Sequence, residues 1–204
     1  MLGFGDPLGI AITLAAVLVA ATCHEFAHAL VADRLGDPTP RSLGRLSLNP
    51  LVHLDLVGTL FFVVFGFGWA RPVPVNPRYF ADPRRGMLQV ALAGPLANVT
   101  VAFVVGALLR SAVLPGGPLV ADALSTLIWI NVILAIFNLI PIPPLDGSRV
   151  LESLLVGRQA LTYAQLRPYG TVLLLVLLYT GVVGRIMLPA AQWLYHASTG
   201  GLGL

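Results

Sequence analysis

Lysine is absent from this 204-residue chain, and its twelve basic side chains are all arginine. Charge of either sign is scarce: Asp, Glu and Arg together make up 10% of the residues, against 57% hydrophobic. Soluble globular domains carry about 25% charged residues, so the composition excludes one and defines an integral membrane protein. A net charge of +3 spread over loops fits lipid headgroups and membrane orientation rather than nucleic acid. The single cysteine, Cys23, excludes an internal disulfide. No basic n-region precedes the first apolar run, and a cut after "VAAT" would remove the segment leading into residues 22–28. That run is therefore expected to stay as a helix rather than leave as a signal peptide.

What the chain does have is apolar length. A spanning helix needs about 20 residues, and residues 8–33, 87–113, 119–141 and 169–190 qualify. Arg185 interrupts the last of these, placed to snorkel to an interface beside Trp193 and Tyr195. A fifth stretch, "LVGTLFFVVFGFGWA" (56–70), is short and glycine-rich, which favours a re-entrant segment over a span. "RLSLN" (45–49) alternates polar and apolar residues and predicts a strand. "ARPVPVNP" (70–77) suits an extended edge strand or loop. The expected fold is an all-α polytopic membrane protein: about four transmembrane helices, a re-entrant segment and a small membrane-associated β-hairpin or sheet. With no internal repeats, residues 1–204 read as one domain. Its core covers about residues 8–158, with an extra C-terminal helix at about 169–195.

Arginine placement orients these spans. If 56–70 does not cross, the loops at 34–55, 71–86 and 142–168 share one side and hold Arg34, Arg41, Arg45, Arg71, Arg78, Arg84, Arg85, Arg149, Arg158 and Arg167. Only Arg110 and Arg185 fall on the other. The positive-inside rule then makes those loops cytoplasmic and the N-terminus external. A crossing at 56–70 would split the arginines and weaken the bias.

Polar chemistry interrupts the first span at "HEFAH" (24–28). On a helix, His24 and His28 lie about 40° apart on one face, and Glu25 about 60° from His28. Two histidines so placed can hold Zn²⁺, while the carboxylate reaches water on the metal as general base. A pair of buried polar histidines is the bland alternative, though ionisable groups inside a span generally have a function. Catalytic zinc needs a third protein ligand and an open position. Asp33 and Asp37 are too near in sequence to curl back. Asp55 and Asp82 sit in arginine-bearing loops, and Glu152 belongs on a surface helix. Asp146 follows "NLIPIPPLDG" (138–147), whose prolines break a membrane helix just before the acid, as happens where a helix lines a polar cavity. The spans 87–113 and 119–141 return the chain to the depth of His24 and His28. Capping a helix is the competing reading for Asp146.

"HEFAH" in one span, "AGPLAN" (93–98) in a later one and "NLIPIPPLDG" together resemble the site-2 protease family of intramembrane zinc metalloproteases, peptidase family M50. "GRLSLNPLVHLDLVGTL" and "WARPVPVNP" are similar to its compact bacterial members, which lack PDZ or CBS domains. The resemblance runs from about Ala15 to Leu155. It implies one Zn²⁺ per chain bound by His24, His28 and Asp146, with Glu25 as catalytic base. It also implies a cell-membrane endopeptidase whose partners are the bilayer and transmembrane substrates, in regulated intramembrane proteolysis or signal-peptide remnant clearance. The chain beyond residue 169 matches nothing diagnostic.

Three further residues carry two readings each. Asn98 and Asn138 could contact the substrate backbone or stabilise an oxyanion, or serve helix packing. His53 could line a substrate loop, or bond structurally to Asp55. Cys23 and His196 read as a small packed residue and an interfacial one. For unwinding, an edge at 43–49 or 71–76 could pair with an extended substrate. Two other functions compete with proteolysis: a metal transporter, and a catalytically silent adaptor that binds membrane helices.

Overall fold

Acid–proline pairs start the two longest helices. In the computed structural model, which describes residues 6–58, 61, 68–111 and 117–201, Asp6 caps α1 (Pro7–Arg34) by accepting from the amides of Leu8 and Gly9. Asp82 does the same for the amides of Arg84 and Arg85. Proline at N1 loses nothing, because that amide has no intrahelical partner. After the four-residue helix α2 (Thr39–Ser42), α3 (Pro83–Arg110) and α4 (Gly117–Asn138) form an antiparallel pair against α1. At 28 residues each, α1 and α3 are about 42 Å long, enough to cross about 30 Å of hydrocarbon with length to spare.

Small residues let these helices approach. The buried face of α1 includes Ala16, Ala20, His24, His28 and Ala32, one residue every fourth position. It packs on a face of α3 containing Val90, Gly94 and Asn98. Membrane helices associate through such close contact, since lipid offers apolar groups no reason to leave it.

Short helices complete the chain: α5 (Asp146–Leu154), α6 (Arg158–Ala164), α7 (Gly170–Tyr179) and α8 (Val182–Thr199). Among the described residues, four helical runs are long and apolar enough to cross a membrane: Pro7–Arg34, Pro83–Arg110, Gly117–Asn138 and Arg158–Tyr179. The protein is thus a multi-pass membrane protein. The first three runs lie within a few residues of expectation. The fourth does not, because the apolar stretch 169–190 is broken at Gly181, which adopts a left-handed φ of +73° and separates α7 from α8. Its place is taken by α6, a 3₁₀ turn at Arg167–Tyr169 and α7.

Helix α8 packs into the bundle. Tyr195 is buried against Trp129 of α4, ring centroids 5.8 Å apart, in a cluster with Ala102, Val105, Ile128, Val132 and Ala191. Tyr195 is therefore a core residue and not an interfacial partner of Arg185. Trp193 and His196 are exposed.

The expected β-hairpin is not found, and no strand occurs among the described residues. Residues 45–49 spend their polar groups locally. The Arg45 amide donates to Pro40 O, the Ser47 carbonyl accepts from His53, and the Ser47 hydroxyl accepts from the Asn49 amide. Such local bonds compete with a ladder. Residues 71–76 run outside any helix or strand, and their amides also go elsewhere: Arg71 to His53 O, Val73 to Glu25, Asn76 to Asp37. Pro72 and Pro74 have none to give. Substrate pairing along 45–49 thereby loses its structural basis. Most of the 56–70 stretch lies outside the described residues. Its two ends touch, since a Cβ on Gly58 would fall 2.1 Å from Trp69 O, and Phe61 packs on the Trp69 ring at 5.3 Å.

Candidate metal centre

Four turns into α1, the i,i+4 spacing turns both imidazoles towards α3 and the start of α5. His24 and His28 are buried, and their rings meet edge to face with centroids 4.6 Å apart. His24 Nε2 lies 3.0 Å and His28 Nε2 3.1 Å from the same oxygen, Asp146 Oδ2. The three ligand atoms all fall within 4.8 Å of one another.

The far side of each ring is engaged as well. Nδ1 of His28 donates to Val90 O at 2.7 Å, and Nδ1 of His24 to Asn98 Oδ1 at 2.6 Å. With both Nδ1 atoms holding the proton, both Nε2 lone pairs face inward, the state a metal requires. Space is provided by Gly94, on which a Cβ would stand 2.4 Å from His28 Nε2 and 2.5 Å from His24 Nε2. Two neutral imidazoles, one ionised carboxylate and a notch in the facing helix fit a zinc ion.

Asp146 reaches this point because α5 is held at both ends. At its start Gly147 packs on the end of α4, where a Cβ would come within 2.2 Å of Leu139 O. At its far end Arg84 of α3 donates to Ser153 O and, at 2.7 Å, to Leu155 O. A guanidinium there meets carbonyls that the helix leaves unpaired. Arg167 adds an ion pair with Glu152.

Glu25 is half-buried, and its Oε2 accepts the Val73 amide at 3.1 Å. Its charge also reaches Arg45, a buried guanidinium whose donors hold Val52 O, Arg71 O and Pro72 O. Burial lowers the Arg45 pKa from its ordinary value, and Glu25 works against that shift. Arg45 thus ties the loop at 52 to the segment at 71–72 beside Glu25.

The remaining sequence candidates divide. Asn98 joins the cluster, but as the partner of His24. Asn138 donates to Leu134 O of its own helix at 3.0 Å. His53 is buried and its Nε2 donates to Ser47 O at 2.8 Å, while Asp55 accepts the Gly58 amide. The acids set aside earlier have other partners: Asp33 pairs with Arg41, and Asp37 accepts from Thr39 and Asn76. No role at the site was read from the sequence for Gly94, Arg45, Arg84 or Asn131. An amide in the middle of "LIWINVILAIF" is a signal that could have marked Asn131, because a polar side chain in a span needs a partner.

A two-histidine, one-carboxylate cluster inside a membrane bundle can hold a catalytic metal, and comparison with known proteins gives the class and the family. The profile of Peptidase family M50 matches residues 116–179. YwhC of Bacillus subtilis, named as a zinc metalloprotease, is 42% identical over 181 residues, covering 85% of this chain and 82% of its own length. Rip2 of Mycolicibacterium smegmatis, with a zinc metalloprotease name, is 29% identical over 92% of this chain and 74% of its own. MJ0611 of Methanocaldococcus jannaschii, named likewise, is 34% identical over 69% of each. No solved structure matches the chain. The chain belongs to peptidase family M50, the site-2 protease family, and is a zinc metalloprotease.

Proposed function

We propose that this protein is an intramembrane zinc endopeptidase that hydrolyses peptide bonds in or near transmembrane segments of membrane-protein substrates. The observation that carries the reading is the convergence of His24 Nε2, His28 Nε2 and Asp146 Oδ2, with each Nδ1 already committed to an acceptor. These three residues hold one zinc ion per chain. When bound, the ion supplies Lewis acidity that activates water and polarises a carbonyl. Glu25 takes the proton from the attacking water and delivers it to the leaving amine. Its Oε2 stays oriented by the Val73 amide, leaving the second oxygen for proton transfer.

The third ligand can be tested by metal analysis. Wild-type protein is expected to hold one zinc per chain, and Asp146→Ala to retain clearly less after dialysis. Unchanged zinc content in Asp146→Ala would reassign the ligand.

The site opens near the cytoplasmic side, with loops 34–55, 71–86 and 142–168 on that side. Nine arginines in or bordering those loops, from Arg34 to Arg158, support this orientation, with Arg167 falling inside the helical run Arg158–Tyr179; the contact between Gly58 and Trp69 also fits a re-entrant 56–70. Cysteines introduced at Ser42, Arg78 and Arg158 in a Cys23→Ser background are expected to label from the cytoplasm. Labelling of Arg78 from the side opposite Ser42 would make 56–70 a crossing and overturn the assignment.

A further inference from the structure

Between α1, α3 and α4 runs a chain of buried polar bonds that ends on a zinc ligand. Asn98 and Asn131 are both fully buried. Asn131 Nδ2 donates to Leu127 O at 2.8 Å. Asn98 Nδ2 donates to Asn131 Oδ1 at 2.9 Å and to Ala20 O at 3.0 Å. Asn98 Oδ1 meets His24 Nδ1 at 2.6 Å. An amide can turn over and an imidazole can move its proton, so the direction of such a chain follows only from its fixed members.

Two members are fixed. Leu127 O and Ala20 O are main-chain carbonyls and can only accept. Leu127 O therefore demands the amino group of Asn131, which turns Asn131 Oδ1 towards Asn98. Asn98 then faces two acceptors, Asn131 Oδ1 and Ala20 O, and uses both of its N–H bonds on them. Its oxygen is left for His24, and His24 must donate from Nδ1. Every donor and acceptor from Leu127 O to His24 Nδ1 is matched in this direction, and reversing any one amide sets like against like.

We infer that Asn131 is a positioning residue for the metal site: together with Ala20 O it holds the Asn98 amide so that its oxygen faces His24, which keeps the proton on His24 Nδ1 and aims Nε2 at the metal. The inference rests on the proposed zinc-protease reading for its purpose, but not for its geometry. It gives α4 a part in metal binding although α4 supplies no ligand. His28 needs no such relay, because Val90 O fixes its tautomer directly.

The test compares Asn131→Leu with Asn131→Asp in the full-length protein in detergent. A carboxyl in this buried position stays protonated, since burial disfavours its charged form. The Asp variant can thus donate its O–H to Leu127 O and accept from Asn98, restoring the chain, whereas Leu can do neither. In metal-free protein with ¹⁵N-labelled histidine, His24 Nδ1 is expected to carry a hydrogen-bonded proton in wild type and Asn131→Asp, and to show an added population without it in Asn131→Leu; Nε2, 3.0 Å from Asp146 Oδ2, is not part of this readout. Zinc affinity, measured by chelator competition, should fall about 10–100-fold in Asn131→Leu and stay near wild type in Asn131→Asp. A lowered melting temperature with an unchanged Nδ1 proton and zinc affinity in Asn131→Leu would assign Asn131 to packing alone and overturn the inference. If Asn131→Leu does not fold, the Asp variant decides: folded protein with a population lacking the Nδ1 proton or with weakened zinc also overturns it. Wild-type protein that binds no zinc, yet shows the Nδ1 proton, would sink the protease reading and leave the relay standing.

Discussion

Gly94→Ala is expected to empty the metal site while the helices around it stay folded. A methyl group at this position would stand 2.4–2.5 Å from both Nε2 atoms, well inside van der Waals contact and in the space the ion needs. Neither ring can retreat easily. His24 is tied through Nδ1 to Asn98 and His28 to Val90 O, and interiors packed this closely do not absorb an extra methylene without strain. Zinc affinity should fall by at least about 100-fold, the upper end of what disturbing a supporting contact costs. Alanine favours a helix over glycine by about 1 kcal/mol, so helix content by circular dichroism should hold. Gly106→Ala in the same helix serves as the contrast: its Cβ would meet Ser198 O of α8 at 2.1 Å, which predicts a lower melting temperature with zinc retained. Normal zinc binding by Gly94→Ala would show that the notch is not where the metal sits.

Glu25→Gln should separate metal binding from chemistry. Glutamine is nearly the same size, still accepts the Val73 amide through its oxygen, and is not needed as a ligand, so zinc content should be unchanged. It cannot take a proton from water at neutral pH. General-base catalysis contributes about 10²–10⁴-fold, and cleavage of a transmembrane substrate should drop by that order. An uncleaved substrate should then co-purify with the variant from native membranes. Undiminished cleavage would remove Glu25 from the reaction, and loss of zinc would make it a ligand.

Much of this arrangement could be read from the chain before any coordinates. Three spans showed through hydropathy, because lipid demands about 20 apolar residues in a row and few sequences satisfy that by accident. The proximity of His24 to His28 followed from helical periodicity. That of Asp146 followed from counting two crossings between the proline-broken helix and the first span. The failures are local. Five alternating residues at 45–49 suggested a strand, but alternation does not tell a ladder from a loop whose Ser47 and Asn49 bond to their neighbours. The stretch 169–190 is apolar on both sides of Gly181, so hydropathy passes through a break that only backbone geometry reveals. Asn98 was read as a substrate or packing residue because an amide can donate or accept. Its partner comes from another helix, and no pattern within α3 names it.

The fourfold spacing along α1 has a mechanical consequence. Ala16, Ala20, His24, His28 and Ala32 form a single seam, in which the two metal-seeking residues occupy positions otherwise held by alanine. The contact that joins α1 to α3 is therefore also the inner surface of the metal site. Sliding or prising these helices apart would carry the histidines away from Val90 and Asn98 and spoil their aim. The α1–α3 seam is thus a wall of the metal site that cannot part while the ligands keep their aim. The flank where Glu25 meets Val73 is built differently, from loop segments joined through Arg45 and not from helices packed on small residues. The seam that holds the ligands and the flank that carries Glu25 are therefore separate parts of the same helix surface.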